Sequence, residues 1–140
     1  MIYSWGVEHG QNDIIMQMTG EKNNGRRIDL VSNLEQIVAD TFCSPQTKER
    51  FRIKLEQGKF TREDNPESHF SAFFLPFNPN TGKVFLGDHI KSGLWLSPGG
   101  HMDRGELPIE TAIREANEEL GLEFTEDQIG EPFFINSNRY

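Results

Sequence analysis

The chain has 140 residues, 22 acidic against 14 basic, and a formal charge of −8. That balance excludes a general nucleic-acid backbone binder, which needs a basic face to displace counterions; a phosphate substrate stays open where cations come between. The longest apolar run, Ala72–Leu75, is too short for a transmembrane helix or a secretory h-region, and the single cysteine, Cys43, excludes an internal disulfide and a cysteine zinc site. A soluble, cytoplasmic protein without a membrane partner is the expectation.

Residues 1–29 are polar, carry turn formers such as Asn23-Asn24-Gly25, and hold one apolar cluster at Ile14, Ile15, Met16 and Met18. They read as a poorly ordered or accessory N-terminus. Residues 30–58 read as two helices. Ser32 and Glu35 have capping-box spacing, Leu34, Ile37 and Val38 recur at helical intervals, and Phe42 follows one turn later. Ser44-Pro45 stops the first helix and starts the second, whose apolar face is Phe51 and Leu55 and whose stop is Gly58.

After the polar connector Thr61–Pro66, the aromatic-rich stretch His69–Phe77 predicts a strand. Asn78–Gly82 is a turn by content, and Lys83–His89 predicts the returning strand of a hairpin. His69 and His89 flank that hairpin and read as surface or edge positions. Leu94–Leu96 predicts a short third strand, broken at Ser97-Pro98-Gly99-Gly100. Glu131–Ile135 reads as the start of another strand.

Residues 108–120 carry the strongest periodicity. Ile109, Ala112, Ile113, Ala116 and Leu120 form one apolar stripe, with Pro108 at the start and Gly121 just past the end. Leu107 is a poor N-cap because it offers no side-chain acceptor. The other face holds Glu115, Glu118 and Glu119, and like charges at these spacings each cost about 0.2–0.5 kcal/mol in an isolated helix. Arg114 can pair with Glu110 and Glu118 but cannot neutralise them all. Taken alone, the helix fits either an ordinary solvated acidic face or a set of oxygen ligands for a hard cation such as Mg²⁺ or Mn²⁺.

Gly100, Glu106, Arg114, Glu115, Glu118, Glu119, Gly121 and Leu122 fit the pattern G-x5-E-x7-R-E-U-x-E-E-x-G-U, with Ala116 in the bulky aliphatic slot. This resembles the box of the Nudix hydrolase superfamily, and the likeness covers roughly residues 66–135. It implies an α/β/α sandwich with a mixed sheet, spanning residues 61–140; the helical reading of the first 60 residues makes them an N-terminal extension that the resemblance does not cover. It also implies metal-dependent hydrolysis of a nucleoside diphosphate linked to another moiety X, a small-molecule substrate, with Mg²⁺ or Mn²⁺ as cofactor. By position, Glu118 and Glu119 would be the main metal ligands. Glu115 would be a further ligand or the group that activates water, and Arg114 would orient it. The Gly99 carbonyl would be a backbone ligand, and Glu106 would contact the metal or brace the loop. His101 and Trp95 are substrate-contact candidates, on phosphate and base respectively; core packing is the competing reading for Trp95. Relatives run further past the box than the 18 residues present here. The resemblance therefore implies a C-terminally incomplete domain, an open sheet edge that invites a homodimer, and loss of a downstream acidic group. The competing function is a catalytically impaired nucleotide-binding or interaction module on the same fold.

Overall fold

The computed structural model describes residues 14–18, 29–78, 80–90, 93–130 and 132–137. Its first element is a strand, β1 (Ile14–Met18), in the segment that the sequence leaves without structure. β1 lies inside a four-stranded sheet ordered β7-β2-β1-β8, where β2 is Phe70–Phe74, β7 is Gly99–His101 and β8 is Pro132–Ser137. It runs parallel to β2, with Ile14 opposite Phe70, and antiparallel to β8, with Met16 opposite Ile135. The sheet is therefore mixed, as the resemblance implies, and the predicted strand at residues 131–135 is β8. The remaining reading of residues 1–28, including the Asn23-Asn24-Gly25 turn, lies outside the described residues.

Two helices precede β2. α1 (Leu30–Asp40) starts at Asp29, whose carboxylate accepts from the Ser32 backbone N–H at 3.1 Å. The expected Ser32 cap is thus displaced by three positions: an aspartate outcompetes a serine that is already helical. The helix stops at Thr41, so Phe42 falls beyond the apolar stripe and is 88% exposed. α2 (Pro45–Gln57) follows the sequence reading closely. Ser44 Oγ accepts from the Thr47 N–H at 3.1 Å, Pro45 opens the first turn, and Gly58 closes the helix at φ 63°. α1 and α2 supply Leu34, Ile37 and Phe51 to a core completed by Phe70, Met102 and Ile135. Phe51 and Phe60 both meet the Phe70 ring, at centroid separations of 5.3 and 5.6 Å. Each such buried aromatic contributes on the order of 1.5–3 kcal/mol by leaving water.

The predicted long hairpin is broken in two. β3 (Phe77–Asn78) pairs with β4 (Lys83–Val84), and β5 (Gly87–His89) pairs with β6 (Leu94–Leu96). Pro76 lacks an N–H and ends the long aromatic strand before β3; its carbonyl instead accepts from Phe85 N–H at 2.9 Å. The last helix, α3 (Pro108–Leu120), lays its predicted stripe on Phe74, Ile129 and Phe124, with Ala112 and Ala116 fully buried. The small side chain at Ala116 is what lets α3 come down onto the sheet at that point. Among the described residues, no helix is long and apolar enough to cross a membrane.

Candidate active site

The site is built where β7 meets α3. Phe74 N–H donates to the Pro98 carbonyl and Met102 N–H to the Phe70 carbonyl, which sets the hydrogen-bonded rungs of the β2–β7 pair. The pairs Phe73–Gly99 and Ser71–His101 lie on the alternate rungs. Peptide groups there point off the sheet edge rather than into the ladder. Two observed bonds agree: Gly99 N–H donates to Glu119 Oε2 at 3.0 Å, and the His101 carbonyl accepts from Arg114 Nη2 at 2.9 Å. By the same alternation the Gly99 carbonyl belongs to the outward set.

Gly99 is required by space, since its clashes are with backbone, whereas Gly100 leaves room for one side chain, the Glu115 carboxylate. A Cβ at Gly99, at φ 150°, would sit 2.4 Å from the Ala72 carbonyl oxygen and 2.5 Å from Phe73 Cα. A Cβ at Gly100 would sit 2.2 Å from Glu115 Oε1. The Glu115 carboxylate thus lies directly on the Gly100 backbone. The following turn, Asp103–Glu106, is closed by Glu106 N–H donating to the Asp103 carbonyl, with Gly105 at φ 84°.

Arg114 is the hub. Its Nε donates to Glu106 Oε1 at 2.8 Å and its Nη2 to Glu106 Oε2 at 3.1 Å, a two-pronged grip. Nη1 donates to Glu115 Oε1 at 2.7 Å and reaches Glu118 Oε2 at 3.4 Å. Glu110, an expected partner, turns back instead and accepts from Leu107 N–H at 2.8 Å, which compensates for the poor N-cap. The carboxylates hold the Arg114 guanidinium proton far above the usual arginine range, Glu106 foremost and Glu115 next, against burial.

Glu106 and Glu115 are opposites. Burial pushes the Glu106 carboxyl up, but bonds from Arg114, the Asp103 N–H and Thr111 outweigh it and leave it below the usual glutamate range. Those donors occupy both of its oxygens, with Thr111 Oγ1 and Asp103 N–H on Oε2 at 2.9 and 3.0 Å. Of the two roles expected for Glu106, this geometry fits the loop brace rather than metal contact. For Glu115, burial raises the carboxyl above the usual range, and the charges of Glu118 and Glu119 add to that rise while Arg114 opposes it. Glu118 is mostly exposed.

Among the described residues, no group of three or more His, Cys, Asp or Glu side chains stands ready to hold a metal ion. One oxygen each of Glu115 and Glu119 accepts from a protein donor. The donor chemistry nevertheless fits a hard divalent cation: Glu115, Glu118, Glu119 and the outward Gly99 carbonyl offer oxygen only, and the like charges around Glu115 are not fully balanced by Arg114.

The remaining candidates fare differently. His101 turns its ring onto the protein, with Nδ1 2.8 Å from His69 Nε2 and 3.0 Å from Ser71 Oγ. Trp95 is 65% exposed on the β5–β6 ribbon, so core packing is not its role. His69, read as a surface or edge position, is fully buried; it lies one residue before β2, with its ring against that of His101 on β7. Sequence reasoning missed the parts played by His69, Ser71 and Thr111. The available signal was a histidine just before the apolar run of β2 and a serine within it, where a polar group needs a partner.

The family model of the NUDIX domain matches residues 67–136. A probable DHNTP pyrophosphohydrolase of Lactococcus lactis subsp. cremoris (strain MG1363) is 30% identical over 94 residues, covering 67% of this chain and 55% of that protein. The asymmetrical bis(5'-nucleosyl)-tetraphosphatase of Mus musculus is 38% identical over 66 residues, 46% of this chain and 45% of that protein. The m7GpppN-mRNA hydrolase of Saccharomyces cerevisiae (strain ATCC 204508 / S288c) is 37% identical over 62 residues, 44% of this chain and 6% of that protein. The chain thus spans about half the length of the first two of these relatives. No solved structure matches it.

Proposed function

The chain belongs to the NUDIX domain family, and from that premise we propose that it hydrolyses a diphosphate linkage in a nucleoside diphosphate joined to another moiety X. The observation that carries the reading is the convergence on Gly99–Gly100: Glu119 on the Gly99 amide, Glu115 on the Gly100 backbone, and Arg114 tying Glu115 to the loop. The pyrophosphatase names of the relatives support the reaction class.

Glu118, Glu119, Glu115 and the Gly99 carbonyl would hold the divalent cation, Mg²⁺ or Mn²⁺. Bound there, it would neutralise phosphate charge and lower the pKa of a coordinated water. The chain's own residues do the rest. Arg114 Nη1 occupies Glu115 Oε1, which leaves Oε2 to take the proton from the attacking water. The water oxygen bonds to one phosphorus, the bridging P–O bond breaks, and the leaving phosphate carries the electron pair. Glu106 keeps the loop and Arg114 in register throughout.

The test is Glu118→Gln assayed with Mg²⁺ against a panel of nucleoside diphosphates carrying different X groups. Phosphate-ester release should fall to background while the circular dichroism spectrum and melting temperature stay near the parent's. Unchanged turnover would remove the assigned role of Glu118. A parent that binds these nucleotides without turning any over would instead support the binding-module reading.

A further inference from the structure

A polar chain with its middle buried runs from the 61–68 connector to Arg114. Asn65 folds back on itself, its Oδ1 accepting from the N–H groups of Glu67 and Ser68 at 3.2 Å each. This turn presents the Asn65 carbonyl to His69 Nδ1 at 3.2 Å. His69 Nε2 then meets His101 Nδ1 at 2.8 Å, and Ser71 Oγ meets the same His101 nitrogen at 3.0 Å. His69 and Ser71 are buried, and the two rings stand edge to face at 4.5 Å. On the backbone of that same His101, the carbonyl accepts from Arg114 Nη2 at 2.9 Å.

The proton positions follow from chemistry. A carbonyl can only accept, so His69 Nδ1 carries the hydrogen and, in the neutral ring, Nε2 accepts. His101 Nδ1 must then donate to His69 Nε2, with Ser71 Oγ as a second acceptor. His101 is fixed as its Nδ1–H tautomer. Turning that ring away would break its contacts with buried His69 and Ser71. Because side chain and carbonyl belong to one residue on an edge strand, holding the ring also holds the carbonyl on which Arg114 docks.

We propose that His69 is a positioning residue: through the ring of His101 it fixes the His101 carbonyl, and so aims Arg114 at Glu115. The kinetic part of this inference rests on the hydrolase reading above; the structural part does not. The decisive comparison is His69→Phe, which keeps a ring without nitrogens, against His69→Gln, whose amide oxygen can accept from His101 Nδ1–H.

Nitrogen NMR at a pH above the histidine range should show the parent's His101 as the Nδ1–H tautomer and a distinct, slowly exchanging Arg114 Nε–H. His69→Phe should shift that Arg114 signal and speed its exchange at least about tenfold, and His69→Gln should restore it. In turnover, His69→Phe should lower kcat by about 10- to 100-fold with KM nearly unchanged. Adding it to Arg114→Lys should cost little more, because both changes act through one guanidinium. An unchanged Arg114 signal in folded His69→Phe would overturn the proposal, as would equal losses in the Phe and Gln variants. If His69→Phe does not fold, the parent's NMR decides: a His101 Nδ1–H hydrogen-bonded to His69 Nε2 beside a slowly exchanging Arg114 Nε–H supports the proposal, and the absence of that bond overturns it. A parent without turnover would defeat the hydrolase reading alone, since the NMR arm still decides the positioning role.

Discussion

Gly100→Ala is the sharpest probe of the site, because it adds one carbon against a single carboxylate. The new Cβ would lie 2.2 Å from Glu115 Oε1 and 2.6 Å from its Cδ. Ordinary contact begins at 3.4 Å, so the carboxylate must retreat by about 1.2 Å. Glu115 sits only 2.7 Å from Arg114 Nη1, and a retreat of that size directed away from Nη1 breaks the bond. A lost charge-assisted hydrogen bond costs about 1.5–3 kcal/mol. For a chain of this length that lowers Tm by roughly 5–10 °C. Displacing a reacting group by about 1 Å costs on the order of 100-fold in rate, so kcat should fall by about that factor while KM moves little. Gly58→Ala is the matched control. It sits at φ 63° with nothing within 4 Å, so it strains a helix end without touching the site. It should cost about 1 kcal/mol of stability and leave kcat alone. Steady-state kinetics and calorimetry on both variants decide the matter. A Gly100→Ala enzyme with parental kcat, or with only the stability loss seen for Gly58→Ala, would refute the placement of Glu115 in the chemistry.

Acid stability should depend on Glu106. Its folded pKa lies below the ordinary glutamate value, so its contribution is complete above the unfolded pKa and is lost as pH falls through the lower folded one. Urea midpoints measured down that acid range should fall less steeply for Glu106→Gln than for the parent; parallel curves would contradict the assigned ion pair. Phe51→Ala empties a fully buried position in the core shared by α2, β2 and β8. It should cost about 3–5 kcal/mol and shift one single denaturant transition, with the m-value unchanged. Two separate transitions would show that the helical segment folds apart from the sheet. Mg²⁺ at a hundred times its dissociation constant should raise stability by about 2.7 kcal/mol, and Glu119→Gln should shrink that gain. An equal gain in parent and variant would place the ion elsewhere.

What was legible in the sequence was what depends on neighbours along the chain. The stripe of α3, the Ser44-Pro45 start and Gly58 stop of α2, and the spacing of Glu115, Glu118 and Glu119 are local periodicities, and the structure returns them as read. The α1 cap was misplaced because Asp29 and Ser32 both suit such a position and only the chain's path chooses. β1 was missed because five residues in a polar stretch have too short a pattern; their partners are 56 positions away at Phe70 and further still at Ser137.

The one-dimensional order of residues thus determined the family, the helix and which carboxylates stand together on one face. Only tertiary structure decided that Arg114 grips Glu106 while Glu110 turns back to Leu107, that both Glu106 oxygens accept from protein donors, and that His69 is buried against His101. The reason is physical. Periodicity is set by the helix itself, whereas a hydrogen bond between β2 and β7, or between β7 and α3, exists only once sheet register has carried distant residues within about 3 Å of each other.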